Sequence, residues 1–91
     1  MLSFKSFDEV VERANNNDLG LCSYIYTNSM EKAHKASELM ETGCVAVNTP
    51  TVAIAEAPFG GIKQTGYGRE GGSTAIKDYL NIKYTHLGLK T

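Results

Sequence analysis

The sequence predicts an α/β chain with one βαβ unit, a glycine-rich loop, a short helix and a C-terminal strand. Three observations carry this. Residues 21–27 and 44–47 are apolar, aromatic or β-branched runs of strand length. Between them lies a helical apolar stripe with a capping residue before it and a glycine after it. From Pro58 to Gly72 the chain places six of its nine glycines, at Gly60, Gly61, Gly66, Gly68, Gly71 and Gly72. Such a run builds no hydrophobic core; it serves where backbone sits at positive φ or is closely approached. A flexible linker would not carry Phe59, Ile62, Tyr67, Arg69 and Glu70 at intervals, so the run reads as a structured loop.

The elements follow in order. Ser6 can cap a helix, with Glu9 completing a capping box. Phe7, Val10, Val11 and Ala14 then form one apolar stripe, Asn15, Asn16 and Asn17 end the helix, and Gly20 turns the chain. Leu21 to Thr27 is the first strand. Asn28 is the next N-cap candidate, with Glu31 three residues on; Met30, Ala33, Ala36, Leu39 and Met40 line the apolar side, and Glu31 and Lys35 form an i,i+4 pair. Gly43 stands where a helix C-terminus wants glycine. Cys44 to Val47 is continuously apolar, as in a strand buried on both faces. Strand, helix, strand over 21–48 predicts a parallel pair with a right-handed crossover. Asn48 to Ala57 is an irregular link. Ser73 is a cap for a last short helix with Ile76, Tyr79 and Leu80 inward, a helix that could also begin near Arg69. Ile82 to Leu87 alternates as a terminal strand.

Within the loop, Gly66-Tyr67-Gly68-Arg69-Glu70-Gly71 matches G-x-G-x-x-G. The dinucleotide-binding form of that motif needs a strand before it, a helix after it and an acidic residue about 20 positions on. Residues 60–65 are too short and glycine-rich for a buried strand, and no acid stands at the required distance. A longer pattern fits better. Pro58-Phe59-Gly60-Gly61-x-Lys63-x-x-Gly66-x-Gly68-Arg69-Glu70 resembles the C-terminal signature of the aldehyde dehydrogenase superfamily. Asn17-Asp18-Leu19-Gly20-Leu21, Gly43-Cys44-Val45-Ala46-Val47-Asn48 and Tyr79-x-x-x-Lys83 resemble flanking motifs of the same family, and Thr65 stands where the family usually has Ser. The resemblance covers nearly all of this chain but only the C-terminal end of the family's much longer one.

The resemblance implies a single incomplete domain over 1–91, part of an aldehyde dehydrogenase catalytic domain, with 82–91 as its oligomerisation strand. In that family a cysteine attacks the aldehyde carbonyl, hydride passes to NAD or NADP, and a glutamate-activated water releases the acid. The cysteine, the glutamate and the dinucleotide site would all belong upstream of these residues. Catalytic, cofactor-binding and metal residues are therefore expected to be none, and the chain alone is expected to be inactive and without cofactor. By resemblance, Ala53 and Phe59 line the aldehyde pocket. The subfamily appearance is closest to the NAD(P)-dependent succinate-semialdehyde type, from Glu56-Ala57-Pro58 and Lys63 through Gly71. A distal carboxylate needs cations or hydroxyls; the link offers Thr49 and Thr51 and no cation.

Composition narrows the classes further. The chain has 91 residues, 42% hydrophobic and 21% charged, with net charge −1. That leaves no electrostatic footprint for nucleic acid. No apolar run reaches the ~20 residues of a membrane span, and the N-terminus lacks a signal peptide's apolar stretch, so the expected setting is cytoplasmic. Cys22 and Cys44 lie in apolar strands with no histidine near them in sequence; reduced, core-packing thiols are expected. His34 and His86 are isolated, and Arg69 and Glu70 read as loop-fixing charges. Two parallel strands leave a sheet unfinished, so self-association as a dimer or higher closed assembly is expected, with the remainder of an aldehyde dehydrogenase as the other expected partner. The competing readings are a small noncatalytic module that pairs through its free strands, and a phosphate or dinucleotide binder using the glycine loop.

Overall fold

A computed structural model describes residues 1–90. Helix α1 spans Phe7–Asn15 and begins as its sequence dictates: Ser6 is extended and its hydroxyl accepts from the Glu9 N–H at 3.2 Å. The capping box is not closed on Ser6, however. The Glu9 carboxylate reaches one residue further back, accepting from the Lys5 N–H at 2.8 Å, and also pairs with Arg13 at 3.0 Å. Asn16 caps the far end. Helix α2 spans Met30–Leu39, and its N-cap is Ser29, which accepts from the Lys32 N–H at 3.3 Å, rather than Asn28. Serine and asparagine cap equally well; here the helix begins one residue later than the sequence suggests, at Met30.

Strands β2 (Cys22–Ile25) and β3 (Cys44–Val47) flank α2 and pair in parallel, with Cys22 opposite Cys44 and Ile25 opposite Val47. The expected βαβ unit is therefore present, with β2 shorter than the apolar run 21–27. Gly20 does not turn the chain. It lies in β1 (Leu19–Gly20), which pairs antiparallel with β4 (Ile62–Lys63). The glycine loop is ordered around this ladder. Phe59 and Glu70 exchange main-chain hydrogen bonds at 2.7 Å, and Gly66, Gly68, Gly71 and Gly72 all sit at positive φ. No flexible linker has that backbone.

Gly43 is not a helix cap either, since α2 ends four residues earlier. Its role is contact. Its N–H donates to the Gly20 carbonyl at 3.0 Å, and a Cβ there would overlap the Gly60 carbonyl oxygen. Both two-stranded sheets meet at this point.

The core is slight. Among the described residues, the buried apolar side chains are three alanines, Ala33, Ala36 and Ala46. Met30 and Leu39 are exposed, and Lys35 lies 5.1 Å above the Phe7 ring instead of pairing with Glu31. The last helix is a 3₁₀ turn, Ala75–Tyr79, preceded by Thr74, which makes no side-chain cap; Ile76, Tyr79 and Leu80 face solvent rather than inward. Residues 82–87 form no ladder. A strand is stable only beside a partner, and no described strand lies next to this one. The surface is 7848 Å², against about 5,200 Å² for a compact monomer of this mass. The radius of gyration is 19.0 Å, where a compact chain of this length has about 12 Å.

The junction yields a stability test. Gly43→Ala should destabilise the fold by about 1–3 kcal/mol, as overpacking against backbone does. Gly88→Ala, where a methyl meets nothing within 4 Å, should leave urea denaturation unchanged. Equal midpoints for the two variants would contradict the close-contact role of Gly43.

Candidate functional site

Three irregular stretches flank the strands: the turn after α1, the link 48–57 and the loop 58–72. Side-chain amides fix the first two, one to the end of α2 and one to the chain just after β2. Asn15 donates to the Leu39 carbonyl at 2.8 Å and accepts from the Glu41 N–H at 2.9 Å. Asn48, itself at φ 56°, does the same with both main-chain groups of Thr27, at 2.9 Å each. Each asparagine thus satisfies one donor and one acceptor that the ends of β2 and α2 would leave open.

Lys63 ties the loop to this frame. Its ammonium group reaches the Asn15 carbonyl at 2.9 Å, the Asn17 carbonyl at 3.2 Å and the Glu41 carboxylate at 2.7 Å. Its backbone is left-handed, φ 56°, which an unbranched side chain tolerates only where its surroundings hold it. Thr65 bonds its hydroxyl to the Ile62 carbonyl. Arg69 braces the loop from within: its guanidinium donates to the Gly61 and Gly68 carbonyls, both at 2.9 Å, and its N–H donates to Asp78 Oδ2 at 3.1 Å. Arg69 thus fixes the loop through carbonyls rather than a salt bridge, and Glu70 acts through its main chain.

This geometry does not fit a dinucleotide pyrophosphate. Phosphate sites use free N–H groups at a helix N-terminus. Here the Arg69 N–H is already taken by the Asp78 carboxylate, a Cβ on Gly68 would lie 2.9 Å from that same carboxylate oxygen, and the helix that follows is five residues of 3₁₀.

The two expected pocket residues lie in this region. Ala53 is exposed on the link, and Phe59 is half-buried in its bridge with Glu70. The link is held against the loop by the Gly72 N–H, which donates to the Ala55 carbonyl at 2.8 Å. Cys22 and Cys44 are free and only half-buried, a correction to the core-packing expectation: each is the first residue of its strand, at the end of the pair, while Ala46 further along is buried. The Cys22 thiol bonds Tyr24 Oη at 3.5 Å and Cys44 Sγ lies 3.6 Å from the Gly60 carbonyl. That hydrogen bond, followed by the charge of Cys22, holds the Tyr24 phenol above its usual range. His34 is exposed and His86 meets only Tyr84. Among the described residues, no three His, Cys, Asp or Glu side chains cluster as a metal site, and no helix is long and apolar enough to cross a membrane.

Sequence reading missed Asn15, Asn48 and the Lys63 clamp. Asn48 sits inside the Gly43-to-Asn48 motif, but its amide pairing depends on a main chain 21 residues away.

Comparison with known proteins agrees with this arrangement. Residues 1–85 match the aldehyde dehydrogenase family. The chain is 50% identical over 88 residues to a 3-sulfolactaldehyde dehydrogenase of Pseudomonas putida, covering 97% of this chain and 18% of that one. It is 40% identical over 89 residues to an NADP(+) succinate-semialdehyde dehydrogenase of Escherichia coli, covering 98% of this chain and 18% of the other. A solved aldehyde dehydrogenase of Bacillus cereus in complex with NAD+ superposes with a TM-score of 0.90 at 39% identity, over 98% of this chain and 18% of that one. The chain thus spans under a fifth of the length of the relatives it matches.

The Lys63 clamp can be tested directly. Lys63→Met keeps the stem and removes the charge. It should cost about 1.5–3 kcal/mol, the range for hydrogen bonds to a charged group, and added salt should narrow the difference only slightly because two of three partners are carbonyls. A denaturation midpoint equal to the parent's would show that the clamp does not hold the loop.

Proposed function

Since the chain belongs to the aldehyde dehydrogenase family, we propose that it forms one wall of an aldehyde pocket and a subunit contact in an NAD(P)-dependent aldehyde dehydrogenase, and that by itself it does no chemistry. The observation that carries this is the ordered packing of the link 49–57 against the glycine loop through Gly72 and Ala55, with Phe59 bridged to Glu70 beside it. In this reading Ala53 and Phe59 meet the aldehyde. Alanine is small enough to leave room and a phenyl ring supplies an apolar wall, the usual lining of a ligand cleft. The parent reaction is oxidation of an aldehyde to its acid. The relatives named above act on a sulfolactaldehyde and on succinate semialdehyde, both anionic, and an anionic aldehyde is the substrate class we favour.

What the chain's residues offer supports its inactivity when alone. A cysteine nucleophile needs a base or cation beside it to form the thiolate. Cys22 has a phenol and Cys44 a carbonyl. In the glycine loop the Arg69 N–H is taken by Asp78 and the Gly61 and Gly68 carbonyls by the Arg69 guanidinium, which supports a chain that holds no NAD or NADP by itself. The free thiols suit a reducing compartment, and we place the chain in the cytoplasm.

Self-association is part of the same reading. The exposed surface exceeds that of a compact monomer by roughly half, and much of it is apolar: Ile82, Tyr84, Leu87 and Leu89 in the tail, with Ile76 and Leu80 before them. An unpaired extended segment is a template for another copy or for the remainder of a dehydrogenase.

Two outcomes are expected. The purified chain should reduce neither NAD nor NADP with succinate semialdehyde or other aldehydes. Turnover that survives repurification and vanishes in Cys22→Ala or Cys44→Ala would refute this. Light scattering across a dilution series should give a dimer or larger closed species, and a folded monomer at every concentration would refute the subunit-contact role.

A further inference from the structure

The link 49–57 is pinned to the rest of the chain near its two ends. At the far end the Gly72 N–H donates to the Ala55 carbonyl at 2.8 Å. At the near end Asn48 holds both main-chain groups of Thr27: its Oδ1 accepts from the Thr27 N–H and its Nδ2 donates to the Thr27 carbonyl, each at 2.9 Å. Among the described residues, the main chain of 49–53 bonds only within the link, from the Thr51 N–H to the Thr49 hydroxyl at 3.2 Å. Ala53 therefore takes its place from the two pins. Asn48 directly follows β3 and has φ 56°, a left-handed backbone that asparagine visits more readily than other non-glycine residues. Thr27 is held in turn: its hydroxyl accepts from the Ser29 N–H at 3.1 Å, and Ser29 caps α2. The near pin is thus keyed to the start of α2.

We propose that Asn48 is the positioning residue of the aldehyde-pocket wall: its amide, and not its backbone conformation alone, fixes the path of the link and with it the place of Ala53. This role rests on the link being the pocket wall, as proposed for it; the tether itself is measurable with no aldehyde present. Asn48 acts through the link and not on the substrate. A carboxamide offers a donor and an acceptor at once, which the N–H and carbonyl of one residue together require. Aspartate at neutral pH offers acceptors only. Placement matters at a reacting centre, where a misplacement of about 1 Å can lower the rate about 100-fold.

Amide hydrogen exchange of the full chain, read residue by residue by NMR, tests the tether. In Asn48→Ala the Gly72 N–H should exchange about tenfold faster, the order expected for losing two hydrogen bonds of ordinary strength. The Val10 N–H in α1, bonded to Ser6, should exchange as in the parent. Asn48→Gly accepts the positive φ without strain but removes the amide, and it should loosen Gly72 as alanine does. Asn48→Asp keeps the acceptor for the Thr27 N–H and loses the donor, so it should fall between; if Asn48→Ala fails to fold, this variant decides. Unchanged exchange at Gly72, an Asn48→Gly variant that behaves as the parent, or the same acceleration at Val10 as at Gly72 would each overturn the proposal. In a full-length dehydrogenase containing this segment, Asn48→Ala should raise KM for the aldehyde and leave KM for NAD(P) unchanged. A loosened tether with an unchanged aldehyde KM would sink the pocket-wall role of the link, and the role of Asn48 in recognition with it.

Discussion

The approach of the Gly43 main chain to Gly60, with Gly20 alongside, is the contact on which the other elements depend. The Gly43 N–H is bonded to the Gly20 carbonyl, Gly20 pairs with Ile62, and Gly61 is buried beside them. Two small sheets that share no strand are joined here by backbone alone. A side chain at Gly43 would separate them, because the space it needs is occupied by a carbonyl. Hydrophobic burial cannot do this joining when the buried core is three alanines. Fixed polar contacts take its place: the amides of Asn15 and Asn48, the Lys63 ammonium and the Arg69 guanidinium each satisfy main-chain groups that irregular backbone would otherwise leave unpaired.

The same arrangement explains why the ordered half and the exposed half of the chain differ. From α1 to the glycine loop, each segment has backbone partners within the chain. Beyond the 3₁₀ turn no described residue enters a ladder, and the apolar side chains point into solvent. A compact domain of this size buries only somewhat over ~60% of the surface its unfolded chain exposes. In the relatives, the matching region is under a fifth of a much longer protein. The thiols follow the same logic. Cys22 and Cys44 were expected in a core, yet their place at the start of a two-stranded pair leaves them half-buried and opposite one another.

What the sequence determined by itself was local or periodic. The α1 cap at Ser6, the apolar stripe behind it, the parallel pairing of 22–25 with 44–47 and the structured character of the glycine run all follow from residue type and spacing, and all are present. The family was legible too, because its loop signature is long and its glycines are required by positive φ and close approach. Tertiary structure decided the rest. Gly20 and Gly43 read as a turn and a helix end, but their contacts lie about 20 to 40 residues away, beyond the reach of any local pattern. Ser29 rather than Asn28 caps α2, its own N–H held by the Thr27 hydroxyl. Lys35 turned to Phe7 and Lys63 to Glu41 because packing brought those partners near. Residues 82–87 carry a strand's alternation, but an alternating pattern states only which faces a strand would have. Whether it becomes one depends on a neighbour to accept its hydrogen bonds, and that neighbour is not specified by the segment itself.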